Sequence, residues 1–391
     1  MAGNLLIVHG GGPTAVINCS LYGAVDEAKK SGKIGKIYGA EGGMGGVLAE
    51  RFIRLDEASD FQLSMLKTTP GSAIGTSRDA MEAEDYANVA QILKKYDIRY
   101  ALFNGGNGTM DTCGKVYRAC KDAGLDILVA GIPKTMDNDI AVTDHAPGFA
   151  SAARFMAGTV REICADVRSL PIHVCVVEAM GRNAGWVTGA AALARQNEEI
   201  GPDLIYLPER DFSEEAFLAD VEKLWARGKG VVAVVSEGIH GPGGKSLVPP
   251  IFQTGRSVYF GDVSAHLAQL VVKELGIKAR SEKPGLAGRT AIYWRSDIDC
   301  REAEEAGRAA VQAVLAEKNG VMPAFRRISN DPYVSELFLA PIEEVMLTEQ
   351  TMPDHYINAA GNGITEEYIR WLKPLMGQPL PEFVTFRKSE V

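Results

Sequence analysis

No uninterrupted apolar run in this chain approaches the length of a membrane span, so the pattern offers no transmembrane helix. No Cys-x-x-Cys pair occurs among Cys19, Cys113, Cys120, Cys164, Cys175 and Cys300, and their spacing is irregular. Neither a structural zinc site nor a disulfide framework is therefore expected, and the thiols should be reduced and mostly buried. Basic residues are in short supply. With 41 Lys and Arg against 50 Asp and Glu the net charge is −9, which argues against a nucleic-acid footprint. The first residues, Met1-Ala2-Gly3-Asn4 before Leu5-Leu6-Ile7-Val8, lack the basic region and cleavage site of a signal peptide and read as an opening strand. The expectation is a cytoplasmic protein with neither a nucleic-acid nor a membrane partner.

What is present is glycine and short apolar runs. At 391 residues, 46% of them hydrophobic, the chain can fill the cores of two or three domains, and 42 glycines suit a fold with many strand-to-helix turns. Strands are expected at Leu5–His9, Tyr100–Asn104, Ile127–Ile132, His173–Glu178, Leu204–Leu207 and Val231–Ser236. Helix-like stretches separate them. In 211–227, Asp211 and Glu214 resemble a capping pair, Phe217, Leu218, Val221, Leu224 and Trp225 form an apolar face, and Gly228 ends the helix. Strands alternating with helices indicate an α/β fold with mainly parallel sheets, whose ligands sit beyond the carboxyl ends of the strands. Residues 144–148 read as a domain crossing, and 322–331 as irregular.

The chemistry concentrates at two strand ends. Ile132-Pro133-Lys134-Thr135-Met136-Asp137-Asn138-Asp139 sets two carboxylates and a lysine directly after an apolar strand. Asn104-Gly105-Gly106-Asn107-Gly108-Thr109 leaves another strand through a glycine-rich turn. Glycine lets the backbone approach a phosphate, and free N–H groups at a helix start attract anions. A carboxylate beside such a cradle can accept a proton from an attacking hydroxyl. Phosphoryl transfer to a sugar alcohol follows as the leading hypothesis.

In this order, Gly11-Gly12-Pro13-Thr14-Ala15, Gly105-Gly106-Asn107-Gly108-Thr109, Pro133-Lys134-Thr135-Met136-Asp137-Asn138-Asp139, Met180-Gly181-Arg182 and Ser236-Glu237-Gly238 resemble the phosphofructokinase family, in the branch that includes pyrophosphate-dependent enzymes. The resemblance covers almost the whole chain. It implies two Rossmann-like three-layer domains with the active site in the cleft between them. A donor domain would span 1–147, completed by part of 289–330, and an acceptor domain 148–288, completed by C-terminal helices in 331–391. It implies Mg2+ as cofactor, ATP or pyrophosphate as donor, a sugar phosphate as acceptor and a role in glycolysis. Asp137 would be the general base toward the sugar 1-hydroxyl. Thr135 would hold the acceptor or the moving phosphoryl, with Lys134 and Arg182 completing the catalytic set. Gly11, Gly12, Arg78, Gly106, Asn107, Gly108 and Thr109 would bind the donor, and Asn107 and Asp139 the magnesium. Acceptor contacts would come from Thr135, Asp137, His173, Met180, Gly181, Arg182, Glu237, Arg280 and Arg289. Arg280 would reach into a neighbouring copy's site, making the protein a homodimer or homotetramer.

Several positions depart from the family pattern. Asn107 stands where Asp is common, and an amide is a poorer magnesium ligand than a carboxylate. Gly108 stands where pyrophosphate-specific relatives carry an Asp that would crowd the α-phosphate of ATP, whereas Lys134 is the lysine of pyrophosphate users. Together the pair leans toward ATP, with pyrophosphate the alternative. Around the acceptor's anionic group, His173 replaces a usual Arg or Lys, and Leu286 and Gly288 offer no hydrogen bond. A less cationic pocket would suit fructose 6-phosphate less well and a monoanionic group at carbon 6 better, as in 6-deoxy-6-sulfofructose. Fructose 6-phosphate remains the lead substrate and the sulfonate an alternative. A non-catalytic regulatory homologue is a further reading, opposed by intact Asp137 and Asp139. A dinucleotide oxidoreductase is opposed by a first turn that does not follow Gly-x-Gly-x-x-Gly.

Overall fold

The computed structural model describes residues 3–197, 200–254 and 257–386. In chain order its principal elements begin with β1 (Asn4–His9), α1 (Ile17–Ser31), β2 (Ile37–Ala40), β3 (Phe52–Arg54), α2 (Ala83–Lys95), β4 (Ile98–Gly105), α3 (Asn107–Asp122), β5 (Leu128–Pro133) and α4 (Phe149–Ser169). They continue with β6 (Val174–Ala179), β7 (Leu204–Tyr206), α5 (Glu214–Trp225), β8 (Val231–Ser236), β9 (Pro250–Thr254), β10 (Ser257–Phe260), α6 (Val263–Leu275) and β11 (Ala279–Glu282). The series ends with α7 (Asp297–Leu315), β12 (Val321–Asn330) and β13 (Tyr333–Pro341). The chain divides into two units, Met1–Ala152 with Arg289–Gln350, and Ala153–Gly288 with Thr351–Val391.

The first unit is built on a seven-stranded sheet in the order β13-β12-β5-β4-β1-β2-β3. Its five central strands pair in parallel, while β3 and β13 add on antiparallel at the edges. Every residue of β5 is buried, as a strand covered on both faces by helices requires. The second unit has a four-stranded, wholly parallel sheet in the order β11-β6-β8-β7 and a separate β9–β10 hairpin. The α/β class with mainly parallel sheets agrees with the sequence pattern.

Four local expectations are corrected. Helix α5 is capped by Ser213, whose hydroxyl accepts from Ala216 N at 3.2 Å, and the Asp211–Glu214 pair does not perform that role. Phe217 and Val221 are fully buried in the core of the second unit, each contributing about 1.5–3 kcal/mol of hydrophobic burial. Residues 322–331 are not irregular: most of them form β12. Met322, Pro323, Ala324 and Phe325 are buried in succession, which hides the strand alternation that resumes only further on. Residues 144–148 pack inside the first unit, and the division falls within α4 instead. Residues 331–350, expected with the C-terminal segment, also belong to the first unit, because β13 pairs along β12.

Candidate active site

In the first unit, three adjacent parallel strands, β1, β4 and β5, end in the three sequence motifs. The turn after β1 is tied to its neighbours by Gly10 N donating to Asn104 O and Gly11 N to Ser77 O, both at 2.9 Å. Gly11 takes a left-handed φ of 75°. A side chain at Gly105 would strike Thr109 Oγ1 at 2.1 Å and Gly10 O at 2.7 Å, so this β4 end requires glycine for the turns to meet. Asn107, Gly108 and Thr109 form the first turn of α3, which contains no acidic residue. The helix therefore presents unopposed N–H groups at this edge. Space around Gly108 is open, with no atom within 4 Å of where a Cβ would stand.

Cations gather over the first glycine turn. Lys134 is buried, and its ammonium donates to Gly12 O at 2.5 Å and Gly10 O at 3.4 Å. Burial, with Arg289 and Arg78 nearby, lowers its pKa to about 8 despite the attraction of Asp137. A Cβ on Gly12 would meet Arg289 Nη1 at 2.7 Å and Arg78 Nη2 at 3.4 Å, so both guanidinium groups lie over this turn. His9 beneath is held neutral, its pKa lowered to about 3 by burial and by Lys134. Three cations around a backbone cradle form a site for a compact, highly charged anion.

The turn after Lys134 is internally braced. Thr135 Oγ1 donates to Asp139 Oδ1 at 2.9 Å and accepts from Asp137 N at 3.1 Å. Asn138 adopts φ 53°, and its Oδ1 accepts from Ala146 N at 3.0 Å. Asp137 is half-buried. Asn107 Nδ2 donates to Asp139 O at 3.0 Å, while Asn107 Oδ1 is buried with no hydrogen-bond partner. Burial raises the Asp139 pKa, against the Thr135 hydrogen bond. An orphaned amide oxygen beside a carboxylate is a hard-oxygen pair that fits Mg2+. Among the described residues no group of three or more His, Cys, Asp or Glu could hold an ion. Phosphate oxygens would have to complete its coordination.

In the second unit, Met180, Gly181 and Arg182 follow β6, and Glu237 follows the neighbouring β8. Glu237 N donates to Ala179 O at 2.9 Å, its Oε1 accepts from Gly181 N at 3.3 Å, and Ser236 Oγ donates to Gly181 O at 2.7 Å. Gly238 admits no side chain, since a Cβ would lie 1.7 Å from Arg182 O. The Arg182 guanidinium donates to Val258 O at 2.9 Å and lies 5.2 Å from the Phe260 ring centroid. His173 and Arg280 are elsewhere. His173 precedes β6, and Arg280 sits beside Cys175 in the β11–β6 register, at the amino ends of strands whose carboxyl ends carry Met180 and Glu237. Six strand residues at about 3.3 Å each separate the two sets by roughly 20 Å. Burial and the adjacent Arg280 lower the His173 pKa, so it is predominantly neutral near pH 7. Leu286 is exposed.

The predicted residues thus fall into three groups. Gly11, Gly12, Arg78, Gly106, Asn107, Gly108, Thr109, Lys134, Thr135, Asp137 and Asp139 cluster at one edge of the first sheet. Arg289, expected with the acceptor contacts, stands among these by Gly12 and Arg78. Met180, Gly181, Arg182 and Glu237 form the second group, and His173 with Arg280 the third. Sequence reasoning missed Asp299, whose carboxylate accepts from Gly148 N at 2.8 Å and Ser151 N at 3.0 Å behind the Thr135–Asp139 turn. Asp299 lies 151 residues along the chain from Gly148, and no local pattern marks it.

The family profile described as Phosphofructokinase matches residues 4–314. The chain belongs to the phosphofructokinase family. It is 36% identical to a pyrophosphate–fructose 6-phosphate 1-phosphotransferase of Rhodospirillum rubrum, over 100% of this chain and 98% of the relative. A pyrophosphate-dependent phosphofructokinase of Nitrosospira multiformis superposes with a TM-score of 0.89 at 35% identity, covering 98% of this chain and 94% of that one. A sulfofructose kinase of Alkalicoccus urumqiensis is 32% identical over 95% of both chains. The protein is thus a phosphofructokinase-type phosphotransferase. The lean toward ATP read from Gly108 is not supported by these relatives, and the pyrophosphate alternative fits them better. Among the described residues no helix is long and apolar enough to cross a membrane.

Proposed function

We infer that this phosphofructokinase moves a phosphoryl group from inorganic pyrophosphate to the 1-hydroxyl of fructose 6-phosphate, giving fructose 1,6-bisphosphate and phosphate. The observation that carries the choice of donor is the buried Lys134 ammonium, flanked by Arg78 and Arg289 over the Gly11–Gly12 turn. This cluster matches a small polyanion and makes no demand for a base or ribose. The names of the Rhodospirillum and Nitrosospira proteins support the same donor.

In this reading the first unit binds the donor and the second the ketose. Glu237 accepts hydrogen bonds from sugar hydroxyls, Met180 packs on the ring, and Arg182 turns toward the acceptor. The attacking O1 forms a bond to phosphorus as the bridging P–O bond breaks. Asp137 takes the hydroxyl proton, while Lys134, Arg78 and Arg289 stabilise charge on the equatorial and leaving oxygens. Asn107 and Asp139 would hold Mg2+, which supplies further neutralisation of phosphate charge. His173 and Arg280, remote from Glu237 in their own chain, would serve a neighbouring copy in a homodimer or homotetramer.

A second acceptor reading has its own observation. The neutral His173 and exposed Leu286 leave the anion-binding set less cationic. A dianion would forgo charge-assisted bonds of about 1.5–3 kcal/mol each, whereas the monoanionic 6-deoxy-6-sulfofructose would lose less. The Alkalicoccus relative gives this reading a precedent. A grid of pyrophosphate and ATP against fructose 6-phosphate, sedoheptulose 7-phosphate and 6-deoxy-6-sulfofructose tests both. The highest kcat/KM is expected with pyrophosphate and fructose 6-phosphate. A dominant ATP column overturns the donor assignment, and a dominant sulfonate row replaces the acceptor.

A further inference from the structure

The Thr135–Asp139 turn is closed by a return segment. Thr135 N donates to Pro147 O at 3.0 Å and Ala146 N to Asn138 Oδ1 at 3.0 Å. Directly before this segment stands His145, 1% exposed, with a carboxylate on each ring nitrogen. Nδ1 is 2.8 Å from Asp144 Oδ2 and Nε2 is 2.7 Å from Glu302 Oε2 on α7. The outer faces of both carboxylates are also engaged. Glu302 Oε1 accepts from the Tyr333 and Ser335 hydroxyls at 2.6 Å each, and the Arg327 guanidinium donates to Asp144 Oδ2 at 2.8 and 3.1 Å. The backbone is fixed as firmly: Thr143 Oγ1 donates to His145 O at 2.7 Å and accepts from Phe325 N at 2.9 Å. The Phe325 ring stacks on the imidazole with centroids 5.1 Å apart.

An imidazole satisfies two carboxylates only when both nitrogens carry hydrogen. Loss of either proton would set a lone pair against a buried carboxylate, an arrangement that costs several kcal/mol unless the groups move apart. Movement of His145 is movement of Ala146 and Pro147, and these are the partners of Asn138 and Thr135. We propose that the Asp144–His145–Glu302 triad is a positioning device for phosphoryl transfer, holding the Thr135–Asp139 turn, and so Asp137, through the return segment 146–148. The triad touches no substrate, and this role rests on the reading of Asp137 as the base.

The device carries its own pH dependence. Burial alone would lower the His145 pKa, but Glu302 and Asp144 outweigh it and lift the value to about 9. The charged and titratable groups facing the ring are Glu302 from α7, Asp144 from its own loop, Tyr333 from β13 and, across Asp144, Arg327 from β12. Asp299 lies one turn before Glu302 on α7 and Glu305 one turn after. The protonated ring is the holding form. Positioning is therefore present below about pH 9 and lost as pH rises through that value.

The test is kcat with donor and acceptor both saturating, measured from about pH 7 to about pH 10. The wild-type rate should fall with a midpoint near 9, without unfolding by circular dichroism. Glu302→Gln keeps the volume and removes one anion, so the midpoint should move down by about one pH unit with both KM values within about threefold. His145→Gln should lower kcat roughly tenfold or more below pH 9 and flatten the alkaline limb. A Glu302→Gln profile that superimposes on the wild type overturns the proposal. If neither variant folds, nitrogen NMR of the histidine-labelled wild-type enzyme decides: the His145 ring should titrate with the kcat midpoint. A ring already neutral near pH 7, or one titrating with no change in rate, overturns the proposal as well. Asp137→Ala is assayed in parallel. Wild-type turnover there would remove the assignment of the base, a result distinct from an unmoved pH profile.

Discussion

Replacing Lys134 by methionine separates charge from bulk at the donor cradle. In the free protein the ammonium is buried against Gly12 O with Arg289 and Arg78 nearby, and its pKa lies at about 8. Bound pyrophosphate would place several negative charges beside it and favour the protonated form. If binding restores the ordinary lysine value of 10.5, protonation contributes about 3 kcal/mol, or roughly 300-fold in affinity. The sign follows directly. Below about pH 8 the group is already charged and affinity is flat. Above it, the dissociation constant should rise by up to tenfold per pH unit, because each binding event must take up a proton. Calorimetry in buffers of different ionisation enthalpy should register about half a proton taken up near pH 8. Lys134→Met should bind pyrophosphate at least tenfold more weakly at neutral pH and lose most of the slope. The donor's own last ionisation, common to both proteins, cancels in that comparison. A wild-type affinity that stays level across the alkaline range, or a methionine variant keeping the full slope, would refute the reasoning.

Three further outcomes follow from the same geometry. Asp137→Ala should reduce turnover by about 10²–10⁴-fold, with dissociation constants for both substrates changed only a few-fold; undiminished turnover rules out its role as base. Gly108→Asp should fold normally, because its Cβ meets open space. It should depress any ATP reaction far more than the pyrophosphate reaction, and equal losses in a side-by-side assay would remove the steric argument. Gly238→Ala forces a methyl group into Arg182 O. It should cost about 1–3 kcal/mol and lower the thermal midpoint by several degrees, whereas an unchanged midpoint would show that the turn relaxes freely.

The parts of the site legible in the sequence are those whose chemistry and backbone requirement coincide. The turns at Gly10–Gly12 and Gly105–Thr109 and the acidic run to Asp139 announce themselves because close approach requires glycine and the charges are local. The sheet class was legible for a similar reason, since runs such as 231–235 are apolar throughout and buried on both faces. Strand β12 was obscured by a proline and four consecutive buried residues. His173 was grouped with Met180 through the family likeness, although an intervening six-residue strand holds them at opposite ends. Arg289 carries no local mark of which unit it joins. Asp299 and Glu302 could not be found from local pattern at all: they serve the Thr135–Asp139 turn across more than a hundred residues of chain.

The late arrival of β12 bears on how the polypeptide becomes an enzyme during synthesis. Val129 N, at the start of β5, donates to Asn319 Oδ1, 190 residues downstream, and Val321 then pairs with Ala130. While the ribosome makes the intervening stretch, β5 has an open hydrogen-bonding edge and an apolar flank awaiting cover. Such an edge invites pairing with the wrong strand. The four-stranded sheet of the second unit, complete by residue 282, has all its strands before that edge is closed. Newly made chains released before β12 emerges should accordingly be dependent on chaperones, even though most residues of the phosphate cradle have already been translated.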